Sequence, residues 1–143
     1  MGTTKEPRHV ARVLVAEDDD DGREMLAVAL RQIGVEVDLV EDGGRFLVAI
    51  ASQYREGNIV PPPELIVTDV NMPVCSGLSV FEALRAAHWN TPVIVVTGRD
   101  TPAARQSAAK FGATFMLKPV DLDVFQKTAL RLISASNSVL LPT

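Results

Sequence analysis

The chain is organised around nine consecutive residues, Leu65-Ile66-Val67-Thr68-Asp69-Val70-Asn71-Met72-Pro73. The first four are aliphatic or β-branched without polar alternation, which is typical of a strand buried on both faces. The run stops at Asp69, where the strand opens into a loop. Ligands of open α/β sheets bind outside the carboxyl ends of the strands, so this acid is a candidate reactive group. A simple turn is the alternative, because Asp, Asn and Pro all initiate turns.

The length and composition of the chain are typical of one globular domain. The chain has 143 residues, 47% of them hydrophobic and 22% charged, which is enough to bury a core. Its formal net charge is −4 and no basic stripe is present, so direct nucleic acid binding is not expected. The single cysteine cannot form an internal disulfide. A polar N-terminus and the lack of a long apolar run predict no signal peptide, no membrane contact and a cytoplasmic location.

Strands alternate with amphipathic helices five times, which predicts a parallel sheet with right-handed crossovers. The predicted strands are residues 10–16, 35–39, 65–68, 93–96 and 114–117. We expect an N-terminal tail over residues 1–9, one domain over 10–135, and a frayed tail or the start of a linker over 136–143. Whether an output domain follows Thr143 stays open.

Local signals also place the helices. Asp20 or Asp21 is expected to cap the first helix, where negative charge meets the positive end of the helix dipole. Met25 is expected on the buried face of that helix, and Val124 on the buried face of the last one. Pro102 is suited to the first turn of the fourth helix.

Polar residues end four of the predicted strands: Glu17 and Asp18 the first, Asp69 the third, Thr97 the fourth and Lys118 the fifth. Parallel strands finish at one edge of a sheet, so we expect these side chains to meet there. Three carboxylates in one place raise each other's pKa values unless a cation lies among them. Only oxygen ligands are on offer, which favours Mg²⁺ over zinc.

In combination, these motifs resemble the receiver domain of two-component response regulators. The matching segments are Val15-Ala16-Glu17-Asp18, then residues 68–73 with Gly77, then Val96-Thr97-Gly98, then Lys118-Pro119. The resemblance covers residues 12–134. It implies a flavodoxin-like (βα)5 three-layer sandwich, with a five-stranded parallel sheet in the order 2-1-3-4-5 and helices on both faces. The connection over residues 54–64 is longer than is usual in the family.

The same resemblance implies a phosphoacceptor and not a dedicated enzyme. Asp69 would take a phosphoryl group from a sensor histidine kinase or a phosphotransfer protein. Mg²⁺, or Mn²⁺ in its place, would be held by Glu17, Asp18, Asp69 and the backbone carbonyl of Asn71. Lys118 would bind the phosphoryl group.

Further residues of the family pattern concern the response to phosphorylation. Thr97 matches the switch hydroxyl and Phe115 the switch aromatic, while Asn71 and Arg99 occupy positions that tune the lifetime of the phosphoryl group. The Lys118-Pro119 bond is expected to be cis. The fourth helix, last strand and fifth helix would form the face that controls an output domain or partner protein, and homodimerisation through that face stays open.

Two other functions stay open at this point. In a phosphatase similar to the haloacid dehalogenase superfamily, Asp18 would be the nucleophile of an Asp-x-Asp pair with Asp20, and Thr97 and Lys118 would serve later motifs. That reading leaves Asp69 without a role. The second alternative is a receiver fold kept only as an interaction module, against which the intact set of strand-end residues argues.

Overall fold

The computed structural model describes residues 10–52, 62–69, 71–72, 75–86 and 88–140 of the chain. Strands and helices alternate along it. In chain order they are β1 (Arg12–Ala16), α1 (Asp20–Gln32), β2 (Glu36–Val40), α2 (Gly43–Ser52), β3 (Leu65–Thr68), β4 (Asn71–Met72), β5 (Cys75–Ser76), α3 (Gly77–Ala86), β6 (Val93–Thr97), α4 (Pro102–Phe111), β7 (Thr114–Leu117) and α5 (Leu122–Leu140). Most of the long connection at residues 54–64, with Tyr54, lies outside the described residues.

Five strands form one parallel sheet in the order β2-β1-β3-β6-β7. Counted without the two short strands, this is the predicted order 2-1-3-4-5, which is confirmed. The short strands β4 and β5 pair with each other as an antiparallel hairpin between β3 and α3. That hairpin was not predicted, because two-residue strands carry no periodic pattern of their own.

The sheet has a hydrophobic core on each face, which makes the predicted three layers. Alternate residues of a strand point to opposite faces, so Val13 and Val15 join one core while Leu14 and Ala16 join the other. Helices α1 and α5 cover the first face, and α2, α3 and α4 cover the second.

Burial follows the position of each strand in the sheet. The central strands β3 and β6 are buried at every residue, whereas the edge strand β2 has three exposed residues among its five. A central parallel strand is covered by helices on both faces, which is why it reads as an unbroken apolar run.

Helix α1 is capped by Asp19. The backbone of Asp19 is extended, and its side chain accepts a hydrogen bond of 2.7 Å from the Gly22 amide. Asp20 and Asp21 lie inside the first turn of the helix, and Asp20 pairs with Arg23. The prediction that Asp20 or Asp21 is the cap was therefore wrong, because an N-cap residue needs non-helical backbone angles.

Two side chains expected in the core are about half exposed, Met25 and Val124. Each directly precedes a buried residue, Leu26 or Phe125. Side chains of adjacent helix residues point in directions about 100° apart. A narrow buried face can therefore include Leu26 or Phe125 but not the residue directly before it. Helix α4 matches its prediction, with Thr101 as cap and Pro102 in the first turn.

Helix α5 continues to Leu140, through residues 136–140 that were expected to form a tail or linker. No proline interrupts the sequence between Pro119 and Pro142, so nothing in the backbone stops the helix earlier. The domain boundary near residue 135 stays a prediction.

The capping role of Asp19 can be tested by replacement. We expect Asp19→Ala to lower the free energy of unfolding by about 1 kcal/mol, the usual cost of a lost N-cap. Urea denaturation followed by the fluorescence of Trp89, the single tryptophan, measures this change. Asp21→Ala is the matched control, since it removes the same charge from the same turn but no cap. An equal loss in both variants would contradict the assignment.

Candidate functional site

The backbone of the sheet sets two carboxylates side by side. In the register of β1 and β3, Ala16 lies opposite Thr68, so Glu17 and Asp69 are the next residues on adjacent strands. The Asp69 amide donates to the carbonyl of Ala16 at 3.1 Å, and the Glu17 amide donates to the carbonyl of Val40 at 3.2 Å. These hydrogen bonds continue the ladder one step beyond the strands and fix where both side chains start.

Three carboxylates converge at this edge of the sheet, as the sequence predicted. Glu17, Asp18 and Asp69 each offer an oxygen atom, and the three atoms lie within 4.8 Å of one another. Glu17 is 1% exposed and Asp69 is 6% exposed, whereas Asp18 faces solvent. The cluster is therefore a buried pair of acids with a third at its rim.

Lys118 reaches this cluster from the loop after β7. Its Nζ lies 2.9 Å from Oδ2 of Asp69 and also forms an ion pair with Oε1 of Glu17. Its backbone amide donates to the carbonyl of Thr97 at 2.9 Å. The bond from Lys118 to Pro119 is cis, as expected. The lysine is thus held by β6 and placed between the two buried acids.

The charges at the site are incompletely balanced. Burial raises the pKa of Glu17 above its usual value, Lys118 opposes this rise, and the negative charge of Asp69 adds to it. Burial alone would lower the pKa of Lys118, but its contacts with Glu17 and Asp69 raise it overall, so it stays charged. One lysine therefore faces three acids.

The site suits a divalent cation. Oε2 of Glu17 is buried and has no hydrogen-bond partner among the residues that the structure describes. A buried carboxylate oxygen without a donor is costly, and a hard ion such as Mg²⁺ prefers carboxylate ligands of this kind. Asn71, whose carbonyl is predicted to complete the ligands, begins β4 two residues after Asp69; its coordination stays a prediction.

Thr97 and Phe115 lie on the neighbouring strands. Thr97 ends β6, is fully buried, and accepts a hydrogen bond from the Arg99 amide through Oγ1 at 3.2 Å. Phe115 lies in β7, opposite Val95 of β6. Its side chain is partly buried and packs against the core under α3 and α4. Thr97 therefore lies at a strand end next to Lys118, and Phe115 lies three residues before Lys118 on β7; their roles as switch residues stay predictions.

The sequence did not single out two arginines near the site. The guanidinium of Arg105 lies 4.6 Å from the centre of the Phe115 ring and pairs with Asp100. The guanidinium of Arg23 donates to the main-chain carbonyl of Glu17 at 2.9 Å. Charged residues on helices usually face solvent, so the residue type alone did not indicate these contacts. The three-residue spacing of Asp20 and Arg23 on one helix face could have indicated their ion pair.

Comparison with known proteins gives a consistent picture. The family model described as the response regulator receiver domain matches residues 13–130. The transcriptional regulatory protein PrrA of Mycobacterium tuberculosis is 38% identical over 109 residues, which cover 76% of this chain and 43% of PrrA. SphR of Synechococcus elongatus, an alkaline phosphatase synthesis transcriptional regulatory protein, is 32% identical over 111 residues, with coverage of 76% and 43%. The chain thus spans less than half the length of these curated relatives.

Solved structures agree with the sequence relatives. The chemotaxis response regulator CheY4 of Vibrio cholerae has 30% identity and a TM-score of 0.70, over 87% of this chain and 99% of CheY4. The Francisella response regulator 1452 receiver domain has 25% identity and a TM-score of 0.74, with coverage of 88% and 98%.

Within the described part of the chain, none of the helices is both long and apolar enough to cross a bilayer.

The raised pKa of Glu17 predicts a pH-dependent stability. Between the usual Glu pKa and the raised native one, the folded protein binds more protons than the unfolded chain, so stability falls as pH rises through that window. Without metal, Glu17→Gln should therefore unfold with a higher free energy at pH 7. This gain should vanish below a pH of about 4, where the acid is neutral in both states.

Urea unfolding of wild type and Glu17→Gln across a pH range of about 3–8, with a chelator present, measures this difference. Glu24→Gln is the matched control, because Glu24 is an exposed acid of α1. Lys118 keeps Asp69 as its partner in the variant. A Glu17→Gln protein less stable than wild type at pH 7 would mean that the ion pair with Lys118 outweighs the burial of the carboxylate.

Proposed function

The chain belongs to the response regulator receiver domain family, and from this premise we propose that Asp69 accepts a phosphoryl group from a phosphohistidine. The donor would be a sensor histidine kinase or a phosphotransfer protein. The observation that carries the proposal is the position of Asp69, buried at the end of β3 with Oδ2 2.9 Å from Nζ of Lys118 and with Glu17 and Asp18 around it. Glu17 and Asp69 are the two buried acids among the described residues and both pair with Lys118, but only Asp69 occupies the phosphoacceptor position of the family pattern.

The chemistry is a transfer between two nucleophiles. A carboxylate oxygen of Asp69 forms a bond to phosphorus while the phosphorus–nitrogen bond of phosphohistidine breaks, and its electron pair returns to the imidazole. The product is an acyl phosphate. Phosphoryl transfer depends mainly on positioning and charge neutralisation, and Lys118 supplies a fixed positive charge next to the attacking group.

Receiver domains bind Mg²⁺ through acidic residues. Here Glu17, Asp18 and Asp69 would hold the ion, with the backbone carbonyl of Asn71, and Mn²⁺ could replace it. When bound, the ion would offset negative charge on the phosphoryl oxygens. The buried, unpartnered oxygen of Glu17 supports this assignment.

Response regulator receiver domains are not dedicated enzymes, and we propose that this chain only assists its own phosphorylation and dephosphorylation. Arg99 and Asn71 would tune the lifetime of the phosphoryl group. Arg99 follows Thr97 by two residues in the β6–α4 loop, and Asn71 follows Asp69 by two residues, so both lie next to the reactive edge.

Phosphorylation would be read out through Thr97 and Phe115. The added charge on Asp69 favours a hydrogen bond from the Thr97 hydroxyl, and inward motion of Thr97 would leave space that Phe115 can fill. Phosphorylation would then shift the balance between two packings by roughly 1–3 kcal/mol, the usual coupling free energy in such switches. The surface of α4, β7 and α5 would transmit the change to an output domain or partner protein.

Partners follow from the same premise. PrrA and SphR are transcriptional regulators more than twice the length matched here, whereas CheY4 is matched over 99% of its chain. The relatives thus include both proteins much longer than the matched segment and one that it covers almost completely, so an attached output domain and a separate partner protein are both compatible with the proposal. Homodimerisation through the surface of α4, β7 and α5 stays a prediction, as does a cytoplasmic location.

The first test is phosphorylation in solution. With Mg²⁺ and a small phosphodonor such as acetyl phosphate, we expect one acid-labile phosphoryl group per chain, detected by intact-protein mass spectrometry. Asp69→Asn should abolish it, because the amide is not a nucleophile for this reaction. Asp38→Asn is the matched control and should be labelled like wild type, since Asp38 pairs with Arg12 away from the site.

The outcomes of this test separate the alternatives. Label on Asp18 in place of Asp69 would favour the phosphatase function, for which the comparisons give no support. Absence of label from wild type with several small donors and with phosphorylated histidine kinases would favour an interaction module.

The second test concerns the ion. Binding to the folded state alone stabilises by RT ln(1 + [L]/Kd), about 1.4 kcal/mol at ten times Kd, so millimolar Mg²⁺ should raise Tm by a few degrees. Differential scanning calorimetry at constant ionic strength measures the shift. Asp18→Asn should reduce it and Asp38→Asn should not. An unchanged Tm of wild type would contradict the proposed magnesium site.

A further inference from the structure

Arg23 is an arginine with an unusual environment. It lies at the end of the first turn of α1, and its side chain is only 14% exposed, although arginine is rarely buried. One arm of its guanidinium, Nη1, donates to the main-chain carbonyl of Glu17 at 2.9 Å. The other arm, Nη2, pairs with Oδ1 of Asp20. The guanidinium of Arg23 thus lies against the loop after β1 that carries Glu17 and Asp18.

The carbonyl that Arg23 binds belongs to the peptide unit joining Glu17 to Asp18. The amide at the other side of Glu17 donates to Val40 in β2 at 3.2 Å. Glu17 is therefore held by hydrogen bonds on both sides of its Cα atom, one from the sheet and one from the helix. Because this peptide plane fixes the positions of the amide nitrogen and Cα of Asp18, the same bond restricts where the Asp18 side chain begins.

Arg23 also affects which acids take part in the cluster. Five consecutive acids, residues 17–21, follow β1. Asp19 caps α1 and Asp20 pairs with Arg23, while Glu17 and Asp18 join Asp69 in the carboxylate cluster. The arginine holds one acid in a contact of its own and fixes the backbone of the two that converge.

We propose that Arg23 is a positioning residue of the magnesium site: it holds the peptide unit between Glu17 and Asp18 so that both carboxylates face Asp69. This inference rests on the proposed function, because it assumes that Glu17 and Asp18 are the ligands. Groups that orient metal ligands typically contribute 10–100-fold in metal affinity. Arg23 touches neither the ion nor the phosphoryl group.

A purely structural role makes a different prediction. If Arg23 only supported α1, its removal would lower the stability of the folded state by the few tenths of a kcal/mol of an i,i+3 pair and the loss of one hydrogen bond. Such a change would lower Tm equally with and without Mg²⁺. The dissociation constant of Mg²⁺ would not move.

The experiment is a Mg²⁺ titration of Tm at pH 7 with full-length chains. Arg23→Met removes the charge and both donors, and should weaken Mg²⁺ binding at least tenfold. Arg23→Lys keeps the charge and one donor, and should lie between Arg23→Met and wild type. Arg31→Met is the matched control, because Arg31 is an exposed arginine of the same helix whose nearest acid, Glu24, is 4.0 Å away; its Kd should equal that of wild type.

A second readout uses the labelling reaction with acetyl phosphate. In Arg23→Met the Mg²⁺ concentration for half-maximal rate should rise by the same factor as Kd, while the rate at saturating Mg²⁺ stays within a few fold of wild type. Should Arg23→Met fail to fold, Arg23→Lys alone carries the test, with a several-fold weaker Kd expected.

The inference is overturned if Arg23→Met, or Arg23→Lys in its place, lowers Tm while its Mg²⁺ dissociation constant equals that of wild type. A wild-type protein that does not respond to Mg²⁺ at all is a distinct result, because it removes the proposed magnesium site itself. A tenfold loss of affinity in Arg31→Met would also overturn the inference, since it would reduce the effect to net charge.

Discussion

The central interaction of the site is the contact of one lysine with two buried carboxylates. Lys118 pairs with Glu17 and Asp69 at the edge of the sheet, and both acids are almost completely removed from water. Ionised groups in such a place are stable only when opposite charge compensates them. One lysine does not balance two buried acids and a third at the rim, and the pKa of Glu17 is raised chiefly by its burial and further by the charge of Asp69. A site of this kind favours any additional cation that fits.

The parallel sheet acts as the scaffold that makes this contact possible. Each acid follows directly after a strand, and hydrogen bonds between neighbouring strands continue through the first residue of each loop. Side chains separated by about fifty residues in sequence therefore meet within hydrogen-bonding distance. Because the core on both faces of the sheet fixes the register, a shift of one residue would turn each strand's side chains to the wrong face.

Further contacts join the strands that carry the site to α4. The carbonyl of Thr97 accepts a hydrogen bond from the amide of Lys118, which connects β6 to the loop after β7. Phe115 lies three residues before Lys118, with the guanidinium of Arg105 over its ring. Asp100, in the loop after Thr97, pairs with that arginine. Phe115, Arg105 and Asp100 thus join β7, α4 and the loop after Thr97 through one group of contacts.

From the sequence alone we predicted the five strands of the main sheet, their parallel order through the family pattern, and the convergence of Glu17, Asp18, Asp69 and Lys118, because buried strands that end in polar residues form a local pattern. The sequence-based prediction misassigned the cap of α1, since Asp19, Asp20 and Asp21 are chemically identical and only backbone angles distinguish them. It also placed Met25 and Val124 in the core, where one residue of rotation on a helix decides exposure. The hydrogen bond from Arg23 to the carbonyl of Glu17 and the contact of Arg105 with the ring of Phe115 became visible only in the folded chain, because both join separate elements through space and leave no periodicity along the sequence.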